Sequence, residues 1–155
     1  MPGANGRGVR IRAMTVVDAA EVAALAGQLG YPASAQQIED RFRGLSREAD
    51  SSVFVAQGED GRLAGWIHVL ERRFLELDRY AEIAGLVVDA GARRSGVGRA
   101  LIAAAEEWAR EHGCVMVRVR SNMKRVEAKP FYERMGYRVV KTQYVFEKTA
   151  QQETE

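Results

Sequence analysis

A chain of 155 residues, 46% hydrophobic and 28% charged, has the length of one globular domain and enough apolar material to fold unaided. A net charge of +2 is too small to imply a nucleic-acid partner, and no basic block with interleaved aromatics occurs. The single cysteine, Cys114, excludes an internal disulfide, and no apolar run reaches the length of a membrane span. Together these lead us to expect a cytoplasmic protein without a membrane or nucleic-acid partner.

Residues 1–8 are rich in glycine and lack a signal peptide's hydrophobic stretch. With 149–155 they read as flexible tails around one domain over 9–148. Residues 9–13 alternate as a first strand. Thr15 is a candidate N-cap for a helix over about 16–29, with Val22, Leu25 and Leu29 on one face and Gly30 stopping it. Ser34 and Gln37 form a capping-box pattern ahead of a second helix that carries Ile38, Phe42 and Leu45. Strands follow at about 52–57 and 62–71, joined through Gly58 and Gly61, and a fourth at about 80–88.

A third helix, with Val97, Leu101, Ala104 and Trp108 at helical spacing, ends at Gly113. Cys114 opens a fifth strand over 114–120 and reads as a buried, inert thiol. A short helix at about 128–135 tolerates Pro130 in its first turn, and a closing hairpin pairs 137–141 with 144–148. The pattern predicts one α/β domain, a mixed sheet of about seven strands flanked by about four helices.

Between the fourth strand and the third helix stands Arg93-Arg-Ser-Gly-Val-Gly-Arg99. A glycine-rich turn feeding a helix start is an anion site, because the first helical N–H groups lack internal acceptors and the macrodipole favours negative charge. The arginines add counter-charge, so the ligand should carry phosphates. A P-loop needs Lys-Ser/Thr after its glycines, and a dinucleotide fingerprint needs a third glycine where Leu101 stands; neither fits.

Arg93-x-x-Gly96-x-Gly98 resembles the coenzyme A loop of the GNAT superfamily of N-acetyltransferases. Asn122, Ala128, Phe131, Tyr132, Glu133, Gly136 and Tyr137 fill a second pattern of the same superfamily, one helix and one strand downstream. The resemblance implies a sheet splayed between strands four and five, and acetyl-CoA as co-substrate. The pantetheine arm would pair with Leu86, Val87 and Val88. Arg93 and the amides of Arg94, Ser95, Gly96, Gly98 and Arg99 would hold the pyrophosphate, and Gly96 and Gly98 would admit the phosphates where a Cβ would collide.

Asn122 either bonds the cofactor's polar arm or caps a helix. By the same resemblance Tyr132 is expected to direct its hydroxyl at the cofactor sulfur, the alternative being a core residue beside Phe131, Met135 and Tyr137, and the Val88 N–H to polarise the thioester carbonyl. Glu82 stands eleven residues before Arg93, the offset of the catalytic Glu in histone-type members. It is either the base that deprotonates the amine or a strand carboxylate paired with an arginine.

For the acceptor, Glu71, Glu76, Asp78 and Glu82 either attract a cationic amine, with Trp66 and Phe74 lining its path, or are solvated loop charges. The expected activity is acetyl transfer to a primary amine by direct attack in a ternary complex. The acceptor is a small molecule or a protein, and the alternative is a non-catalytic acyl-CoA-binding module on the same fold. His68 stands without a second ligand at metal spacing, so no metal is expected. A homodimer is common in the superfamily and remains an open expectation, without an interface signature.

Overall fold

The computed structural model describes residues 8–151; the rest of the expected tails, 1–7 and 152–155, lies outside the described residues. Two compact units result, one ending at Arg120 and the other beginning at Ser121. In the first unit, β1 (Arg10–Ala13), β2 (Ser51–Gln57), β3 (Leu63–Arg72) and β4 (Tyr80–Val88) form an antiparallel run. To it β5 (Val117–Val119) adds in parallel, in the order β1-β2-β3-β4-β5. Three helices accompany the sheet: α1 (Ala19–Gln28), α2 (Ala35–Ser46) and α3 (Val97–Glu111).

Local signals set most boundaries. Ser34 Oγ accepts from Gln37 N at 3.1 Å while Gln37 Oε1 accepts from Ser34 N at 2.9 Å, a complete capping box. At the end of α3, Cys114 N bonds Ala109 O and Gly113 N bonds Arg110 O, with Gly113 at φ 72. This Schellman stop uses the amide of Cys114, so the strand expected from 114 begins at Val117 instead. Ahead of α1, residues 16–18 form a 3-10 turn, held where Asp18 accepts from Arg12 at 2.8 and 2.9 Å and from Thr15 N at 2.8 Å.

The strand registers sort side chains between two faces. Val55 lies opposite Trp66, and both pack with Met14, Val22, Leu25 and Leu63, so this face meets α1 and α2. Gly65 faces the other way: a Cβ there would stand 3.1 Å from Leu101 Cδ1 of α3 and 2.5 Å from Val87 O. Ile67 and Val69 follow Gly65 at strand period on the α3 side and are fully buried. In β4 the register slips, His68 opposing Gly85 and Val69 opposing Ile83, so Ala84 is a bulge. The extra residue places Glu82 and Gly85, three apart, on the same face. The ladder from β4 to β5 covers Ala81, Glu82 and Ile83 and goes no further.

The second unit holds a short helix, α4 (Ala128–Arg134), ended by a stop of the same kind as α3. Gly136 at φ 91 allows Gly136 N to reach Glu133 O and Tyr137 N to reach Tyr132 O. The expected closing hairpin is absent: residues 137–150 form no strand, and the described sheet has five strands rather than about seven. Val139 and Val140 are 60% and 59% exposed, Tyr144 and Phe146 each 90%. Strand propensity needs cross-strand pairing and a buried face to be realised, and neither exists here. The connecting Thr142-Gln143 is also a poor two-residue turn, because that turn demands positive φ at its centre.

Candidate active site

The segment from Asp89 to Arg99 is wound so that its first amides are bonded within the protein and those from Arg94 onward are left free. Asp89 N donates to Ala64 O, and the Asp89 carboxylate accepts from Gly91 N at 3.0 Å and from Gln28 Nε2 at 2.9 Å. Gln28 Oε1 in turn accepts from Ala90 N, so the end of α1 braces the loop. Ser95 Oγ donates to Ala92 O. Arg94 and Gly96 both adopt left-handed backbone, at φ 65 and 89. For an arginine this conformation is strained, and it turns successive N–H groups toward one side, as in an anion nest.

Among the described residues, the amides of Arg94 to Arg99 reach no acceptor, and Ala100 N, bonded to Gly96 O, is the first that does. Arg93, Arg94 and Arg99 are exposed, with no carboxylate at ion-pair distance among the described residues. The 15-residue α3 starts here and aligns its dipole with this point. The loop therefore suits a pyrophosphate. Asp89 was open to sequence reading as an Asx turn with Gly91; Gln28 gave no signal, being 61 residues away.

On the α1/α2 face, β3 presents Trp66, His68, Leu70 and Arg72, and β4 presents Gly85, Glu82 and Tyr80 opposite them. Glu82 is buried yet charged-paired, with Oε2 3.3 Å from Arg72 Nε and Oε1 3.0 Å from Arg120 Nε. The contacts are too oblique for hydrogen bonds, which leaves Glu82 Oε1 and Arg72 Nε buried without a hydrogen-bond partner. Trp66 Nε1 shares that condition, its ring lying over Gly85, where a Cβ would meet it at 3.0 Å. His68 Nε2 and Ser51 Oγ are 2.8 Å apart, and burial pushes the imidazole below its ordinary pKa, so it is neutral at pH 7.

Leu86 and Val88 are half-buried and Val87 buried, on the part of β4 beyond the β5 ladder. Of the acidic residues expected to draw a cation, Glu71 lies on the opposite, α3 face. There it binds Arg79 at 3.0 Å and Arg73 at 3.2 Å, and the Arg79 hydrogen bond holds its carboxyl below the usual range. Glu76 and Asp78 are exposed in the loop before Tyr80 and meet no cation at ion-pair distance among the described residues. Phe74 stacks on Tyr80 at 6.0 Å.

In the second unit, Tyr132 is half-buried and edge-on to both Phe131, at 5.1 Å, and Tyr137, at 5.9 Å. The Tyr137 contact is the apolar clasp of the helix stop, so Gly136 and Tyr137 fix the ring of Tyr132 through local geometry. Burial raises the Tyr132 pKa against a small opposing effect of Arg125, so the hydroxyl keeps its proton well above neutrality. Asn122 Oδ1 accepts from Lys124 N at 2.9 Å and thus closes a turn six residues ahead of α4, rather than capping the helix. Cys114 is buried, which raises its pKa and leaves the thiol protonated. Among the described residues no three His, Cys, Asp or Glu side chains converge on a metal position, and no helix is long and apolar enough to cross a membrane.

The profile of the Acetyltransferase (GNAT) family matches residues 20–137. The chain is 32% identical over 132 residues to an aminoglycoside N(6′)-acetyltransferase type 1 of Stenotrophomonas maltophilia, covering 82% of this chain and 84% of that one. It is 32% identical over 142 residues to glucosamine 6-phosphate N-acetyltransferase 1 of Oryza sativa subsp. japonica, covering 87% and 84%. The fold superposes on the crystal structure of an aminoglycoside antibiotic 6′-N-acetyltransferase of Acinetobacter baumannii with a TM-score of 0.81, at 18% identity over 93% of this chain and all of the other. Free loop amides, a bulged fourth strand with a short parallel neighbour, and these matches agree: the chain belongs to the GNAT family of acetyltransferases.

Proposed function

We propose that this protein, through one catalytic domain over 9–148, transfers the acetyl group of acetyl-CoA to a primary amine. The observation that carries the reading is the row of unbonded amides from Arg94 to Arg99 at the start of α3. These N–H groups, with Arg93, Arg94 and Arg99, neutralise the pyrophosphate. Leu86 to Val88 offer a strand edge beyond the β5 ladder, where two amides of the pantetheine arm can pair. Asn122, whose Oδ1 accepts from Lys124 N, keeps Nδ2 as a candidate donor to the cofactor.

Acetyl-CoA supplies an activated acyl group on a thioester. Against it, the Val88 N–H is the candidate donor to the carbonyl oxygen, and Tyr132 the candidate donor to the sulfur. A tyrosine with a raised pKa is a weaker acid than usual, which favours a hydrogen bond to developing thiolate over complete proton transfer. Glu82 is the candidate acceptor of the amine's proton. The only cysteine is buried and protonated, so transfer through a thiol acyl-enzyme is disfavoured and direct attack in a ternary complex is expected.

The test is release of free CoA by the purified protein across a panel of amines. Acceptor-dependent release with intersecting initial-velocity lines supports the reading. Parallel lines contradict direct attack. No release with any amine, together with no thermal shift by acetyl-CoA, overturns the whole proposal.

A further inference from the structure

The face that carries Glu82 is richer in positive charge than its carboxylate can balance. β3 places Arg72 on this face, and the parallel register that sets Glu82 beside Arg118 also brings Arg120, two residues on, to the same side. Glu82 contacts Arg72 and Arg120, while Arg118 has no carboxylate at ion-pair distance among the described residues. Three guanidinium groups therefore stand on a face with one buried carboxylate, which pairs with two of them, while Glu76 and Asp78 are engaged by none.

Two of the guanidinium groups, those of Arg72 and Arg118, also lie against aromatic rings. Arg72 Cζ lies 5.6 Å from the centroid of Phe74, Phe74 stacks on Tyr80 at 14° between planes, and Arg118 Cζ lies 4.7 Å from the Tyr80 centroid. An aromatic face positions an arginine while leaving its N–H fork free. In addition, Glu82, whose side chain is only 9% exposed, keeps Oε1 without a hydrogen bond, as Arg72 keeps Nε. Buried polar atoms left this way call for a partner, which a polar ligand group can supply.

We infer that the acceptor amine also bears an oxyanion, a phosphate or a carboxylate, which seats between Arg72, Arg118 and Arg120 while the amine lies toward Glu82. The inference rests on the proposed acetyltransfer at this face, and it reverses the cationic acceptor that the acidic residues suggest in the sequence. A polycation brings like charge to a surplus of arginines; an amine with its own oxyanion matches both signs. Phosphate and carboxylate share the planar, bidentate recognition that arginine provides.

The test is calorimetric titration of the protein saturated with CoA, so that the pyrophosphate loop is already filled. The probes are inorganic phosphate, glucosamine 6-phosphate, glucosamine, β-alanine and neamine. Glucosamine 6-phosphate should bind about tenfold or more tighter than glucosamine, and neamine most weakly. The preference should shrink with added salt and collapse in the Arg118→Gln/Arg120→Gln double variant, whose melting curve reports its folding. Tighter binding of β-alanine than of the phosphates supports the site and assigns it to carboxylates. Neamine or glucosamine binding as tightly as glucosamine 6-phosphate overturns the inference, as does a preference that survives in the variant or no binding of any anionic probe. The acetyltransferase reading fails separately, by absence of binding of CoA itself in the first titration.

Discussion

Gly98 lies buried in the first turn of α3, among the amides that reach no internal acceptor. Gly98→Asp sets a carboxylate within about 5 Å of the expected pyrophosphate, where at an effective dielectric near 20 one pair of like charges repels by about 3 kcal/mol. Affinity for acetyl-CoA should therefore fall about a hundredfold or more. For 155 residues an unfolding entropy of about 2.1 cal/mol/K each gives about 0.33 kcal/mol per degree. Acetyl-CoA at about 100 times its Kd stabilises the wild type by about 2.7 kcal/mol, a rise in Tm of about 8 °C. The same concentration on the variant is near its Kd and yields about 0.4 kcal/mol, or about 1 °C. An aspartate so early in a helix suits the macrodipole, so loss of ligand binding should exceed any loss of helix stability. Differential scanning fluorimetry with and without acetyl-CoA reads both quantities. A variant that folds and still shifts by about 8 °C would refute the placement of the pyrophosphate at this helix start.

Tyr132→Phe should leave the Kd for acetyl-CoA within about threefold and lower kcat about tenfold to a hundredfold, as steady-state kinetics beside calorimetry will show. Because burial raises the Tyr132 pKa, the donating form persists below that value and is lost only as pH rises through it, so the wild-type alkaline limb should lie above about pH 10. Glu82→Gln should depress kcat/KM most near neutrality and recover at high pH, where the amine is already neutral; a rise in acceptor KM alone, with kcat and pH profile intact, assigns the carboxylate to attraction instead. Asp18→Asn breaks a pair in which Asp18 is 6% exposed and bonded at 2.8 and 2.9 Å, and should cost about 2–4 kcal/mol, measured by urea denaturation at pH 7. Arg12 holds the Asp18 carboxyl below its usual range, so its contribution is complete above about pH 4 and fades as pH falls through the lowered value; the gap between wild type and variant should close on the acid side.

Short-range physics was written plainly in the chain. Ser34 with Gln37, and Gly30, Gly113 and Gly136, start or stop helices through bonds spanning three to five residues, so their neighbours in sequence suffice to place them. The same holds for the loop from Arg93 to Arg99, whose glycines and helix start are contiguous, and for Tyr132, whose ring is set by the Gly136–Tyr137 stop one turn later. Alternation located β1 to β4 but misjudged 137–148, because alternation states a preference for pairing and names no partner.

Charge on the face that carries Glu82 belonged to tertiary structure alone. A one-residue bulge at Ala84 decides which side of the sheet follows Glu82, and strand parity sends Glu71 to the α3 side while Arg72, its neighbour, turns toward Glu82. Arg118 and Arg120 come to the face of that carboxylate through a parallel ladder whose partners lie 36 residues apart, as Glu82 and Arg118 do. Composition counts the charges of both signs as nearly equal, 23 against 21. Which of them meet is fixed by register, and register is the sum of many pairings that no single stretch of sequence contains.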